Sequence, residues 1–248
     1  EVIIIGYGTS NAQDLTGSLV SVKAKAFQKG SFATPEQLII GKTPGVRITS
    51  NGGMPGAGSR IRIRGGSSLN ASNDPLVVID GLPANGLGML NPSDIESFTI
   101  LKDASATAIY GSRAANGVIL VTTKKGKAGG PLKVDLHVVN STREVTKSLD
   151  VLSPSQFVDM INDRGTNTQI NRLATASGYE KVNGSIVMSD SARSTDWQDE
   201  IYRTGSVQDI NVAITGGIAN LPYRLSMGYY HENGVLNRSD LKRYSLAI

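Results

Sequence analysis

The chain has 248 residues, 39% of them hydrophobic, enough to bury one large core or two ordinary ones. It contains no cysteine, which removes disulfides, thiolate metal sites and cysteine nucleophiles together. A net charge of +4, with basic and acidic residues interspersed along the chain, argues against nucleic acid as a partner.

Glu1 opens directly on the apolar run Val2–Ile5, with no charged region or hydrophobic core of a signal peptide ahead of it, so an export signal is expected to lie outside this sequence. No window approaches the ~20 consecutive apolar residues of a spanning helix. Barrel strands, which carry only a weak alternating signal over ~10 residues each, are not excluded by that. The glycines fall between short β-branched runs, the punctuation of a strand-rich domain.

Residues 59–64 alternate strictly, placing Ile61 and Ile63 on one strand face and Arg60, Arg62 and Arg64 on the other. Leu76–Ile79 reads as a buried strand closed by a tight Asp80-Gly81 turn, and Val118–Thr123 as a second buried strand. Between them, Ser93 with Glu96 three residues on predicts a short capped helix, and residues 104–110, closed by Gly111, predict another. After the basic, glycine-rich link 124–130 the texture changes, and a domain boundary is expected there. Residues 133–138, 210–215 and 223–229 each alternate polar with apolar, the last two joined by a hairpin-length turn, and the chain runs out at 244–248 in a fourth such strand. Between the first and second strands lies an insertion, 141–204, with a helix predicted from Ser153 to Arg164 and Pro154 in its first turn. Four strands close no pore, so a membrane reading makes the chain a fragment of a larger barrel.

Catalytic and metal chemistry find no foothold. Gly41-Lys42-Thr43 resembles the tail of a phosphate loop, but Glu36 stands where its first glycine belongs and Pro44 follows. The glycine-rich segment 53–58 precedes a strand instead of opening a helix, so it reads as a flexible loop. Asp94, Glu96, Asp196, Asp199 and Glu200 are explained by capping and surface solvation. His137 and His231 sit in alternating stretches and are expected at solvated or pore-facing positions. No catalytic residue, metal ligand or cofactor is assigned.

Several segments together resemble the SusC/RagA family of TonB-dependent outer-membrane transporters of Bacteroidetes. They are residues 1–9, Leu15-Thr16-Gly17-Ser18, Gly41-Lys42-Thr43-Pro44-Gly45-Val46, Ile61-Arg62-Ile63-Arg64-Gly65, 75–83, 91–97 continuing through 101–119, 195–201 and 240–244. The resemblance covers nearly the whole chain. It implies an α+β plug domain followed by the first antiparallel strands of a large transmembrane β-barrel, about 22-stranded in such transporters. The implied division is a TonB box and linker at 1–8, the plug at 9–127, and barrel strands with a long extracellular insertion at 128–248.

The implied activity is TonB-dependent import of oligosaccharides or peptides across the outer membrane, with no enzymatic step. The implied partners are periplasmic TonB, a SusD-like surface lipoprotein acting as a lid, and outer-membrane lipid. Glu1, Val2, Ile3, Ile4 and Ile5 occupy the TonB-binding position, where a short β-branched run can add as a strand to a partner sheet. The plug loops 51–58, 67–74 and 84–90 would face the substrate chamber, with Asn51, Ser68, Asn70, Asn73 and Asn85 offering polar groups to cargo. The competing reading is a soluble β-rich binding module with no transport role.

Overall fold

A computed structural model describes residues 2–5, 8–11, 19–50, 52–63, 73–102, 108–189, 192 and 194–248. Strands dominate it. β1 (Val2–Ile5) pairs antiparallel with β2 (Gly8–Asn11). β3 (Leu19–Lys23) leads into the plug, where β4 (Val46–Ser50) and β5 (Ser59–Ile63) form a hairpin. β6 (Leu76–Ile79), β7 (Leu82–Ala84), β8 (Ile95–Leu101) and β9 (Val118–Thr123) join β3 in a five-stranded mixed sheet of order β3-β8-β9-β6-β7, with β6 and β9 parallel. β8 and β9 are central, and Phe98–Leu101 and Val118–Val121 are buried along their whole length. Phe98, Ile100, Val118 and Ile119 are fully buried, each side chain of Phe98 or Ile100 size contributing roughly 1.5–3 kcal/mol. Ile61 and Ile63 join this core while Arg60 and Arg62 turn away, as the alternation requires. Arg64 lies outside the described residues.

The Asp80-Gly81 turn forms as read, both residues at positive φ, and the Asp80 carboxylate accepts from the Thr123 backbone N–H at 3.1 Å and the Thr123 hydroxyl at 2.5 Å. The helix predicted at 93–96 is instead a single 3-10 turn, Pro92–Asp94, followed at once by β8. Asn91, not Ser93, is its cap, accepting from the Ser93 N–H at 3.1 Å, because Pro92 fills the first helical position where a missing donor costs nothing. Glu96 is therefore a strand residue and no capping box exists. Of the helix predicted at 104–110, residues 103–107 lie outside the described set, and the rest belongs to 3-10 turns over Ala108–Ala114, kinked at Gly111.

Four long strands follow: β10 (Lys133–Arg143), then, beyond the insertion, β13 (Gly205–Ile218), β14 (Leu221–Asn233) and β15 (Asp240–Ala247), in an antiparallel sheet of order β10-β13-β14-β15. Its outer strands β10 and β15 each pair on one side only among the described residues. Residues 1–144 and 204–248 pack as one unit, and Val145–Arg203 as a second. The link 124–130 is packed against the wall instead of running free. Gly217 N–H donates to the Gly130 carbonyl at 3.1 Å, and a Cβ on Gly126 would stand 2.4 Å from the Tyr223 carbonyl oxygen.

The second unit has its own small core. α1 (Pro154–Arg164) begins as predicted at Ser153, whose hydroxyl and Gln156 form a full capping box. α2 (Asn167–Ala174) follows with a second capping box from Thr166 and Gln169, then the hairpin of β11 (Tyr179–Val182) and β12 (Ser185–Met188), then α3 (Trp197–Ile201). Val158, Ile161, Ile170 and Ile186 pack together. Asn162 clamps the hairpin by donating to the Ile186 carbonyl at 2.9 Å and accepting from its N–H at 2.7 Å. Asp196 caps α3, as its predicted role required.

Candidate functional site

The four-stranded wall has two chemically opposite faces, because successive side chains in a strand point to opposite sides. One face carries rows of cross-strand neighbours, Leu136, Val212, Met227 and Leu246 in one row and Val138, Ile210, Tyr229 and Tyr244 in the next. Val134, Ile214 and Leu225 form a third. Val134, Leu136, Val138, Val212, Ile214, Leu225 and Met227 all share this side, as the alternation of 133–138, 210–215 and 223–229 requires. It is exposed: Leu136 is 67% and Leu246 64% accessible. The row beyond the tyrosines turns polar, with Asn140, Gln208, His231 and Lys242. His231 therefore sits on the outer face at its polar edge, and not in the pore, whereas His137 lies on the opposite face.

That opposite face meets the plug through polar contacts. Ser31 donates to Asp209 at 3.1 Å; Asn211 donates to the other Asp209 oxygen at 2.5 Å. Asn91 Nδ2 then donates to Asn211 Oδ1 at 2.6 Å and reaches Ser245 Oγ at 3.0 Å. The chain of bonds runs from plug to wall to plug to wall. Beside it, Arg224 pairs with Asp94 at 2.5 Å, both side chains nearly buried. Reading Asp94 as a solvated cap is corrected by this contact. Lys124 donates to the Ser93 carbonyl at 2.7 Å, and burial together with the nearby Arg224 guanidinium holds its pKa below the usual lysine value.

A second cluster grips residues 31–33 of the plug. Glu232, fully buried, is paired with Arg143 at 2.7 Å and accepts from the Tyr230 hydroxyl at 2.6 Å. Arg143 also donates to the Ser31 carbonyl at 3.3 Å, while Arg243 donates to the Ala33 carbonyl and lies over the Tyr230 ring. Charge-assisted bonds of this kind are about twice as strong as neutral ones. The loop at 52–58, read as flexible, also touches the wall. Gly56 lies against the Leu241 side chain, and its φ of 70° is a conformation that favours glycine.

None of these partners was identified by motif. Alternation places Arg224 on the polar strand face, but pairing across more than a hundred residues leaves no local signal.

Of the residues singled out for TonB, Val2, Ile3, Ile4 and Ile5 form β1, which among the described residues pairs with β2, and Glu1 lies outside the described residues. Of those singled out for cargo, Asn51, Ser68 and Asn70 also lie outside the described residues. Asn73 precedes β6, and Asn85 follows β7 on the rim of a plug cavity of about 820 Å³.

Residues 11–118 match the TonB-dependent Receptor Plug Domain family. The whole chain is 45% identical to the TonB-dependent receptor SusC of Bacteroides thetaiotaomicron, covering 100% of this chain and 24% of that protein. It is 42% identical to TonB-dependent receptor P3 of Formosa agariphila over 99% of this chain and 22% of that one. The chain thus spans about a quarter of the length of these curated relatives. Among solved structures, the RagAB peptide importer in its open-open state superposes with a TM-score of 0.78 at 25% identity, over 99% of this chain and 30% of that one. The closed-closed state gives 0.71 over 94% of this chain. A plug fold bound to the polar face of an unclosed antiparallel wall, with sequence likeness running through both, shows that the chain belongs to the SusC/RagA family of TonB-dependent receptors, of which it carries the plug and the first wall strands.

Proposed function

We propose that the chain is the coupling and gating part of an outer-membrane importer that draws oligosaccharides or peptides through a plugged barrel. The observation that carries this reading is the two-faced wall: a polar face bonded to the plug and an apolar face left exposed. A soluble module exposing Leu136, Met227, Tyr244 and Leu246 in adjoining rows would aggregate, whereas a barrel in lipid needs that band, with aromatic residues at its edge. In this reading residues 1–8 are the coupling segment, 9–127 the plug and 128–248 the wall with its outer insertion. The partners are TonB at the periplasmic side, a SusD-like lipoprotein at the mouth and outer-membrane lipid around the wall. No step is catalytic. The solved neighbour, a peptide importer, supports the peptide class, and the oligosaccharide class rests on the family resemblance.

β1 is the proposed grip for TonB, its backbone adding to a partner sheet whose main-chain bonds resist a pull. Ile4→Pro removes a ladder donor and restricts the neighbouring backbone, so uptake by the full-length protein is expected to be abolished at unchanged abundance and cargo binding. Ile4→Val keeps donor and shape and is expected to leave uptake near normal. Growth on the cognate nutrient, with surface binding and abundance measured alongside, is the readout; equal growth of the proline variant would remove the coupling role from residues 1–5.

A further inference from the structure

The outward face of the wall changes its chemistry at one end only. On β13 the outward positions Ile210, Val212, Ile214, Gly216 and Ile218 run to the two-residue turn before Leu221, with the Tyr223 side chain lying against Gly216. Ile218 and Leu221 are exposed at that turn, and Lys133, at this end of β10, belongs to the inner face and pairs with Asp135 at 2.8 Å. At the other end the row beyond Tyr229 and Tyr244 is Asn140, Gln208, His231 and Lys242, direct cross-strand neighbours in that order. All four carry N–H donors. His231 and Lys242 are the basic side chains on this face of the four strands, and they are adjacent. Asp240, its one acid, stands a row further out, two residues from Lys242 on β15.

From Ile210 to Ile218 the strand runs ~26 Å at ~3.3 Å per residue. At a strand tilt of ~40° this spans ~20 Å of an apolar band ~25 Å tall, and the further step to Gln208 completes it. The donor row therefore stands where hydrocarbon ends. Short turns in such barrels are periplasmic and longer connections external. The β13–β14 turn has two residues, whereas β10 connects to β13 through 144–204 and β14 to β15 through 234–239, so the row meets the outer leaflet. Polar residues that merely marked the edge of a bilayer would stand at both ends of the face. Here one end donates and the other stays apolar, which points to an acceptor belonging to one leaflet. A phosphomonoester fits: its oxygens accept, its charge suits the Lys242 ammonium, and the His231 imidazole keeps an N–H in either protonation state. Strands ~4.8 Å apart put both side chains within reach of one phosphate.

We propose that Asn140, Gln208, His231 and Lys242 form a docking surface for the phosphorylated headgroup of an outer-leaflet lipid, with Lys242 and His231 on the phosphate and the two amides beside it. This rests on the import reading above, which sets the wall in the outer membrane. The test uses full-length protein in detergent, carrying one environment-sensitive fluorophore at Ser206→Cys, a row further out on the same face. It is titrated with a multiply acylated disaccharide lipid bearing one phosphomonoester, and with the same lipid lacking the phosphate. The phosphorylated lipid binds at least tenfold more tightly. The double variant His231→Gln with Lys242→Gln loses that preference, Lys242→Arg keeps it, and Lys133→Gln, on the inner face at the other end, keeps it too. The double variant melts as wild type does, because the row serves lipid and not the wall. Equal binding of the two lipids by wild type overturns the proposal, as does a preference that survives in the double variant or a double variant that melts lower. The membrane reading is judged separately: if arginine is tolerated at Val212 as well as at His231, the wall is not in lipid and that reading falls. If the apolar band holds and phosphate makes no difference, only the docking surface falls.

Discussion

Asp94 and Arg224 stand 130 positions apart in sequence and form the most buried ion pair joining plug to wall among the described residues. Removing one partner leaves an uncompensated buried charge, so Asp94→Ala in the full-length protein is expected to cost about 3 kcal/mol or more. The double change Asp94→Ala with Arg224→Met is expected to cost clearly less than the sum of the singles, because neither charge is then stranded. Chemical denaturation of the four proteins in detergent checks this, and strict additivity would mean the pair carries no coupling. Lys124 sits beside the same pair, its ammonium disfavoured by burial and by Arg224. Because its folded pKa is depressed, the unfolded chain binds the proton more readily between the folded value and the ordinary lysine value, so this group makes stability rise with pH across that window.

At the scale of the strand, the two faces of β13 and β14 predict opposite tolerances. Val212 and Met227 are direct cross-strand neighbours on the apolar face, and Asn211 and Ser226 belong to the face turned to the plug. Arginine at Val212 or Met227 is expected to cost ~2–4 kcal/mol in a bilayer if those positions lie near its midplane. The matching control is His231→Arg, at the polar edge of the same face, where the cost is expected to fall to ~0–1 kcal/mol. Reversible unfolding in lipid vesicles measures both, and equal costs would contradict an apolar band that ends at Tyr229 and Tyr244. The tyrosine rings meet at a tilt of 41° with centroids 5.3 Å apart where the band gives way to polar residues, the position an interfacial belt requires.

The whole molecule depends on how the plug is tethered. The link 124–130 has the composition of a free linker, yet Gly126 lies against the Tyr223 backbone and Gly130 is bonded to Gly217. Gly126→Ala would force the link off the β13–β14 hairpin, since the obstructing atoms are backbone and do not swing aside. A loss of about 1–3 kcal/mol is expected, the range of other overpacked sites, with faster proteolysis inside 124–130 as the second readout. Wild-type stability in the alanine variant would show that the link does not hold plug to wall.

Much of the architecture is legible in the sequence. Alternation located the long strands and sorted their side chains correctly, because the period of a strand is geometric and independent of context. The capping box at Ser153 and the Asp80-Gly81 turn were equally readable, since each is decided within four or five residues. The order of the plug sheet, the 3-10 turn in place of a capped helix at Asn91, and the strand Ile95–Leu101 that follows were decided by burial: tertiary packing drew a segment with a helical start signal into the centre of a sheet. The bonds from Asn91 to Asn211, from Ser31 to Asp209 and from Arg143 to Glu232 have no counterpart in any local pattern. They arise only when distant segments are brought together, and whether a polar side chain is paired or left waiting depends on the neighbours that the closed fold supplies.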